Sequence, residues 1–96
     1  MGNYRLSRDA RRDIKDIAEY SLENFGRDRA FRYRDSLFAA IERLAQYPQM
    51  GADFSYIRPD YRRMAHESHV VYYRITITGI FVLRIPHSAQ DPARHL

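Results

Sequence analysis

From Ala10 onward the apolar residues Ile14, Ile17, Ala18 and Phe25 return to one helical face, and Ser21 is small enough to sit among them. Asp9, Arg12, Asp13, Asp16, Glu19 and Glu23 fall on the opposite face, where Asp9–Arg12 and Lys15–Glu19 have pairing spacings. The pattern predicts an amphipathic helix. The preceding "NYRLS", Asn3 to Ser7, is too short for a helix and reads as a short strand whose last residue, Ser7, serves as N-cap. Gly26 supplies the stop, expected as a left-handed αL residue.

A second helical period follows "GRD". Ala30, Phe31, Leu37, Phe38, Ile41, Leu44 and Ala45 mark its apolar positions, with Asp28 expected as its cap and Pro48 ending it near Tyr47. So short a connection makes the helices an antiparallel hairpin. "PQMGADF" is predicted as the loop after it.

Beyond that loop the period changes to extended. Tyr61 to Ala65 is predicted as a strand, His66 to Ser68 as a polar turn, and His69 to Ile77 as a strand rich in β-branched and aromatic residues. Thr78-Gly79 gives a second turn. Ile80 to Ile85 is a nearly unbroken apolar run, the pattern of a central strand covered on both faces, and Pro86 ends its ladder. Alternation places His69, Val71, Tyr73 and Ile75 on one face, with Val70, Tyr72 and Arg74 on the other. In the next strand Ile80, Val82 and Arg84 oppose Phe81, Leu83 and Ile85. The order β-α-α-β-β-β predicts an α+β fold, a helical hairpin packed on a small antiparallel sheet. The length, 96 residues, fits one domain spanning 1–96.

Charge narrows the partners. A net charge of +4 and a pI near 9.7 suit an acidic partner, either nucleic acid or polypeptide. Lys15 is the only lysine, so fifteen of the sixteen basic side chains are arginines. Bidentate recognition of carboxylate or phosphate explains that skew, and so does an arginine-rich codon usage. The absence of cysteine excludes disulfides and thiolate metal sites. No apolar run is long enough to span a bilayer and no signal-peptide pattern opens the chain, so a soluble cytoplasmic protein without membrane contact is expected.

The candidate chemistry is limited. Ser68, His69 and Asp91 form a Ser-His-Asp set only by coincidence of sequence. His66 with His69, or His87 with Asp91 and His95, lack a recognised metal-ligand spacing, and no phosphate-cradling glycine loop is present, so neither metal nor cofactor is expected. Metal-free RNA cleavage needs only an acid or base and cations at the phosphate, for which Arg62, Arg63, Arg74, Arg84, His69 and His87 are chemically adequate.

The segments "LFAAIERLAQYPQMG", "IRPDYRRMAHESHVVYYRI", "IFVLRIPH" and "DPARHL" together resemble the ParE branch of the RelE/ParE superfamily of toxins of bacterial type II toxin–antitoxin pairs. The resemblance covers nearly the whole chain and implies the same fold. It also implies a non-enzymatic toxin that inhibits DNA gyrase, blocks replication, and forms a hetero-oligomer with a cognate ParD-like antitoxin. DNA is then contacted only through the antitoxin or gyrase. The expected target-binding residues are Arg58, Arg62, Arg63 and Arg74, with His87, Arg94 and His95 of the tail. Tyr20, Phe25, Phe31, Tyr33 and Phe38 exceed what one face of the hairpin can bury, so they are expected to form an apolar groove for an antitoxin helix.

RelE-type members of the superfamily instead cleave mRNA on the ribosome, often using a tyrosine near the C-terminus. No tyrosine follows Tyr73 here, which favours the ParE branch. The chain departs from the family pattern at Pro86, where leucine is common, and at Ala89-Gln90, where one expected arginine is missing. A ribosome-dependent endonuclease and a non-toxic basic nucleic-acid-binding module are the alternative readings.

Overall fold

The computed structural model describes residues 2–90. Strand β1 (Asn3–Leu6) leads into helix α1 (Arg8–Phe25), α2 (Arg27–Gln46), a 3₁₀ turn at Pro48–Met50, and strands β2 (Ala52–Asp53), β3 (Arg62–His66), β4 (His69–Ile75) and β5 (Gly79–Arg84). The five strands are ordered β1-β5-β4-β3-β2. The last three form the expected antiparallel meander, β2 extends it antiparallel to β3, and β1 joins the other edge parallel to β5.

Local chemistry sets the helix ends. Ser7 accepts from the Ala10 amide at 2.9 Å, capping α1, and donates to the Leu83 carbonyl at 2.7 Å, tying the cap to β5. Gly26 has φ 83° and ψ 174°, an essentially glycine-only region distinct from the expected αL stop. That single residue reverses the chain. Its amide donates to Leu22 O at 3.2 Å and its carbonyl accepts from Ala30 N at 3.0 Å, so it closes α1 and opens α2 together. Asp28 is therefore not the N-cap. It lies in the first turn of a helix already begun at Arg27, where its charge still suits the positive end of the helix dipole.

The hairpin covers one face of the sheet. Ala10, Ile17, Leu37, Ile41, Leu44 and Ala45 interlock with Val71, Tyr73, Ile80, Val82 and Ile85 in the main core. Tyr73 is fully buried, and its hydroxyl donates to Pro48 O at 2.7 Å and accepts from Gly51 N at 3.0 Å. A buried phenol thereby satisfies the loop after α2. On the far face Phe54, Val70 and Tyr72 make a smaller cluster with Tyr61.

The structure corrects three strand expectations. "PQMGADF" is not wholly loop, because Ala52 and Asp53 pair with Arg63 and Arg62; two residues are too few to show an alternating period. β5 is flanked by strands on both sides but covered by helices on one face only, leaving Phe81 and Leu83 half-buried. Ile85 does not lie opposite Arg84. A bulge between Tyr72 and Tyr73 shifts the pairing from Tyr73↔Val82 to Tyr72↔Arg84, and both Arg84 and Ile85 then reach the helical side. Re-aiming side chains is the usual consequence of such an extra residue.

Candidate interaction surfaces

The helical hairpin encloses a cleft of about 960 Å³ with the nearer end of the sheet. Ile17, Tyr20 and Phe25 line it from α1, Arg29, Arg32 and Tyr33 from α2, and His69, Ile85, Pro86 and His87 from the sheet end. Tyr20 and Phe25 meet edge to face, with centroids 6.2 Å apart, and the Arg29 guanidinium lies 4.7 Å from the Phe25 centroid. Tyr20 is 61% exposed and Phe25 47%, so apolar ring surface is open to solvent here.

At its base Arg84 forms a two-pronged ion pair with Asp13. Arg84 Nε reaches Asp13 Oδ2 at 2.9 Å and Nη2 reaches Oδ1 at 3.2 Å, while the Ile85 amide donates to the same Oδ2 at 2.8 Å. One carboxylate thus anchors α1 to the end of β5, and the pair raises the Arg84 pKa further, chiefly through that hydrogen bond. Beside it the Tyr33 hydroxyl lies 2.6 Å from His69 Nδ1 and 3.3 Å from the His66 carbonyl. Ser36 Oγ lies 3.0 Å from His66 Nε2. The chain after Pro86 stays against β4: Val70 N donates to Pro86 O at 3.0 Å, and the His69 and His87 rings stand 5.4 Å apart. Burial, and then the neighbouring His87 and His66, hold the His69 pKa below its ordinary value. Burial raises that of Tyr33, with Glu67 adding to the rise.

The expected aromatic groove residues therefore separate. Tyr20, Phe25 and Tyr33 line the cleft, whereas Phe31 and Phe38 do not and instead carry Arg27 and Arg34 on their rings, at 6.0 and 5.6 Å. The excess of aromatics on the hairpin alone assigned all five to one surface. It could not tell the flank of α2 that faces the cleft from the one that faces away.

The expected target-binding residues are dispersed as well. Arg62 and Arg74 line a depression of about 780 Å³ at the β4–β5 turn, with Arg5, Ile75 and Ile77. Arg62 is largely committed, since its Nη2 donates to the carbonyls of Gln49 and Gly51. Arg63 lies over Phe54 and Tyr72, and Arg74 over Phe81. Arg58 sits in the exposed loop before β3, and its amide donates to Phe54 O. His87 lines the other end of the molecule, in the cleft. Arg94 and His95 lie outside the described residues.

Of the cast for RNA cleavage, His69, His87 and Arg84 share the cleft, whereas Arg62, Arg63 and Arg74 lie apart from it. His69 and Arg74 are five residues apart on β4, roughly 16 Å along an extended strand, and Arg84 is held by Asp13. Among the described residues no group of three or more histidine or acidic side chains is placed to hold a metal ion. No helix among them is long and apolar enough to cross a membrane.

Sequence reasoning missed Asp13 and Arg29. Asp13 reads as one acid in a polar stripe, and only the neighbouring Ile14 marks it as lying at the boundary of the buried face.

The family model described as "ParE toxin of type II toxin-antitoxin system, parDE" matches residues 4–92. "Toxin ParE1" of Caulobacter vibrioides is 40% identical over 96 residues, covering 100% of this chain and 99% of that protein. "Toxin ParE1" of Mycobacterium tuberculosis is 36% identical over 94 residues, covering 97% of this chain and 96% of that one. The solved structure described as "Chromosomal ParDE TA system from P. aeruginosa" superposes with a TM-score of 0.77 at 21% identity, covering 91% of this chain and 96% of its counterpart, and so shares the fold.

Proposed function

The chain belongs to the ParE family of toxins of type II toxin–antitoxin systems, and from that membership we propose that it is a cytoplasmic gyrase inhibitor neutralised by a ParD-like antitoxin. The observation that carries the antitoxin half is the cleft. Tyr20 and Phe25 leave about half of each ring in water, about 200 Å² together, which a covering helix would bury for about 5 kcal/mol before association costs. The antitoxin enters along Ile17, Tyr20 and Phe25 with an apolar stripe, and an acidic flank meets Arg29 and Arg32. Its net negative charge also speeds its encounter with a toxin of charge +4.

The toxin acts as one domain over 1–96 and by binding rather than by catalysis. The separation of Arg62, Arg63 and Arg74 from His69, His87 and Arg84 of the cleft, with Arg84 engaged by Asp13, supports this over the ribosome-dependent endonuclease, which needs its acid, base and cations around one phosphate. Arg58, Arg63, Arg74 and the tail residues Arg94 and His95 are assigned to gyrase. Expression of the chain alone should stop growth with DNA synthesis failing before translation, and co-expression of an adjacent acidic antitoxin should restore it. Growth arrest with cleaved messages and continuing DNA synthesis would refute the assignment.

A further inference from the structure

The face of the sheet turned away from the helices carries a layer of arginines on aromatic rings. Register places Arg5 of β1, Phe81 of β5 and Arg74 of β4 side by side across three neighbouring strands. The Arg74 guanidinium lies 5.2 Å from the Phe81 centroid, and Arg5 and Arg74 are exposed. One strand further, Arg63 stands opposite Tyr72 and lies 5.5 Å from the Phe54 centroid and 5.8 Å from that of Tyr72. Strands about 4.8 Å apart place these positively charged planes across a width of about 14 Å. By the same register no strand residue on this face is acidic; Asp53 and Asp60 border it only in the depression at the β4–β5 turn.

We infer that this face binds single-stranded nucleic acid, with Arg5, Arg63 and Arg74 on its phosphates and the guanidinium–aromatic layer as the platform for its bases. The surface fits that ligand better than an acidic peptide. An extended peptide takes a strand edge and a peptide helix takes a groove, whereas an unstacked base takes a plane. Arginine supplies both the plane and the charge. The contact is direct, lies across the sheet from the cleft, departs from the expectation that DNA is met only through antitoxin or gyrase, and shares Arg63 and Arg74 with the surface assigned to gyrase.

The test is fluorescence anisotropy of the full chain with a labelled oligothymidylate of about twelve nucleotides, across a series of salt concentrations. Three phosphate contacts predict log K falling against log salt with a slope of about −2. R63A/R74A should make the slope less negative by about 1.4 and R5A by about 0.7, while R32A in the cleft leaves it unchanged. R63K/R74K retains the charge but loses the plane, so it should keep the slope and weaken binding several-fold, which also guards against misfolding of the alanine variants. A slope unmoved by R63A/R74A, lysine variants that bind as tightly as the parent, or equal displacement by polyglutamate would each overturn the inference.

Discussion

Asp13 of α1 and Arg84 of β5, 71 positions apart in the chain, are joined by two hydrogen bonds, and the same carboxylate caps the Ile85 amide. Arg84 is the one charged residue in the apolar run of β5, and a bulge turns it toward the helices. The contact locks the base of the cleft. Asp13→Ala should cost about 1–3 kcal/mol in urea denaturation, because it removes two hydrogen bonds from a partly buried guanidinium and the acceptor of the Ile85 amide, whereas Asp13→Asn, which still accepts from Ile85, should cost less. Equal stability of the parent and Asp13→Ala would show that the pair is dispensable.

Gly26 makes the whole connection between α1 and α2 at φ 83° and ψ 174°. Nothing lies within 4 Å of where a Cβ would stand, so Gly26→Ala isolates backbone strain from crowding. A loss of about 1–3 kcal/mol is expected. Gly26→Asn should give no rescue, because asparagine tolerates the αL region and this conformation lies outside it. Thermal melts of both variants check this.

The helical period and its breakers were legible because burial of one face repeats every turn, and α1, α2 and β4 fall within a few residues of their expected ends. Less was legible where a single residue or a pairing decides the geometry. Asp28 looks like a cap until Gly26 is seen to open α2 itself, and β2 exists only through its pairing with β3. The site was harder to read than the fold. Tyr20, Phe25 and Tyr33 were found because too many aromatics sit on a two-helix hairpin, but the same excess also drew in Phe31 and Phe38. The arginines between Arg58 and Arg84 look clustered in sequence, yet strand alternation and strand length send them to two faces and two ends of the sheet.

The His69 imidazolium is disfavoured in the folded protein, by burial first and then by His87 and His66, so its pKa lies below the ordinary 6.5. As pH falls the unfolded chain takes up this proton before the folded one. The stability due to His69 is therefore intact above about pH 6.5, declines below it, and levels off once the folded-state pKa is passed. His69→Gln should flatten that part of the melting temperature's dependence on pH. An unchanged profile would show that the residue is neutral to folding.

Tyr20→Asp and Phe25→Asp place charge on exposed positions of the cleft, so the free toxin should keep its melting temperature within a degree or two. An adjacent acidic antitoxin in excess should raise the melting temperature of the parent strongly, since it binds only the folded form, and should raise that of the double variant far less. Phe31→Asp, outside the cleft, should leave the antitoxin's effect intact. Calorimetric melts with and without antitoxin decide this.

The central claim is tested most directly by adding the purified chain to DNA gyrase with relaxed plasmid and following both supercoiling and the linear DNA released by protease. Inhibition of supercoiling with accumulation of protease-released linear DNA is the predicted result, weakened when Arg94 and His95 are both replaced by alanine. Undiminished supercoiling and no linear product at a large excess of toxin over gyrase would contradict it.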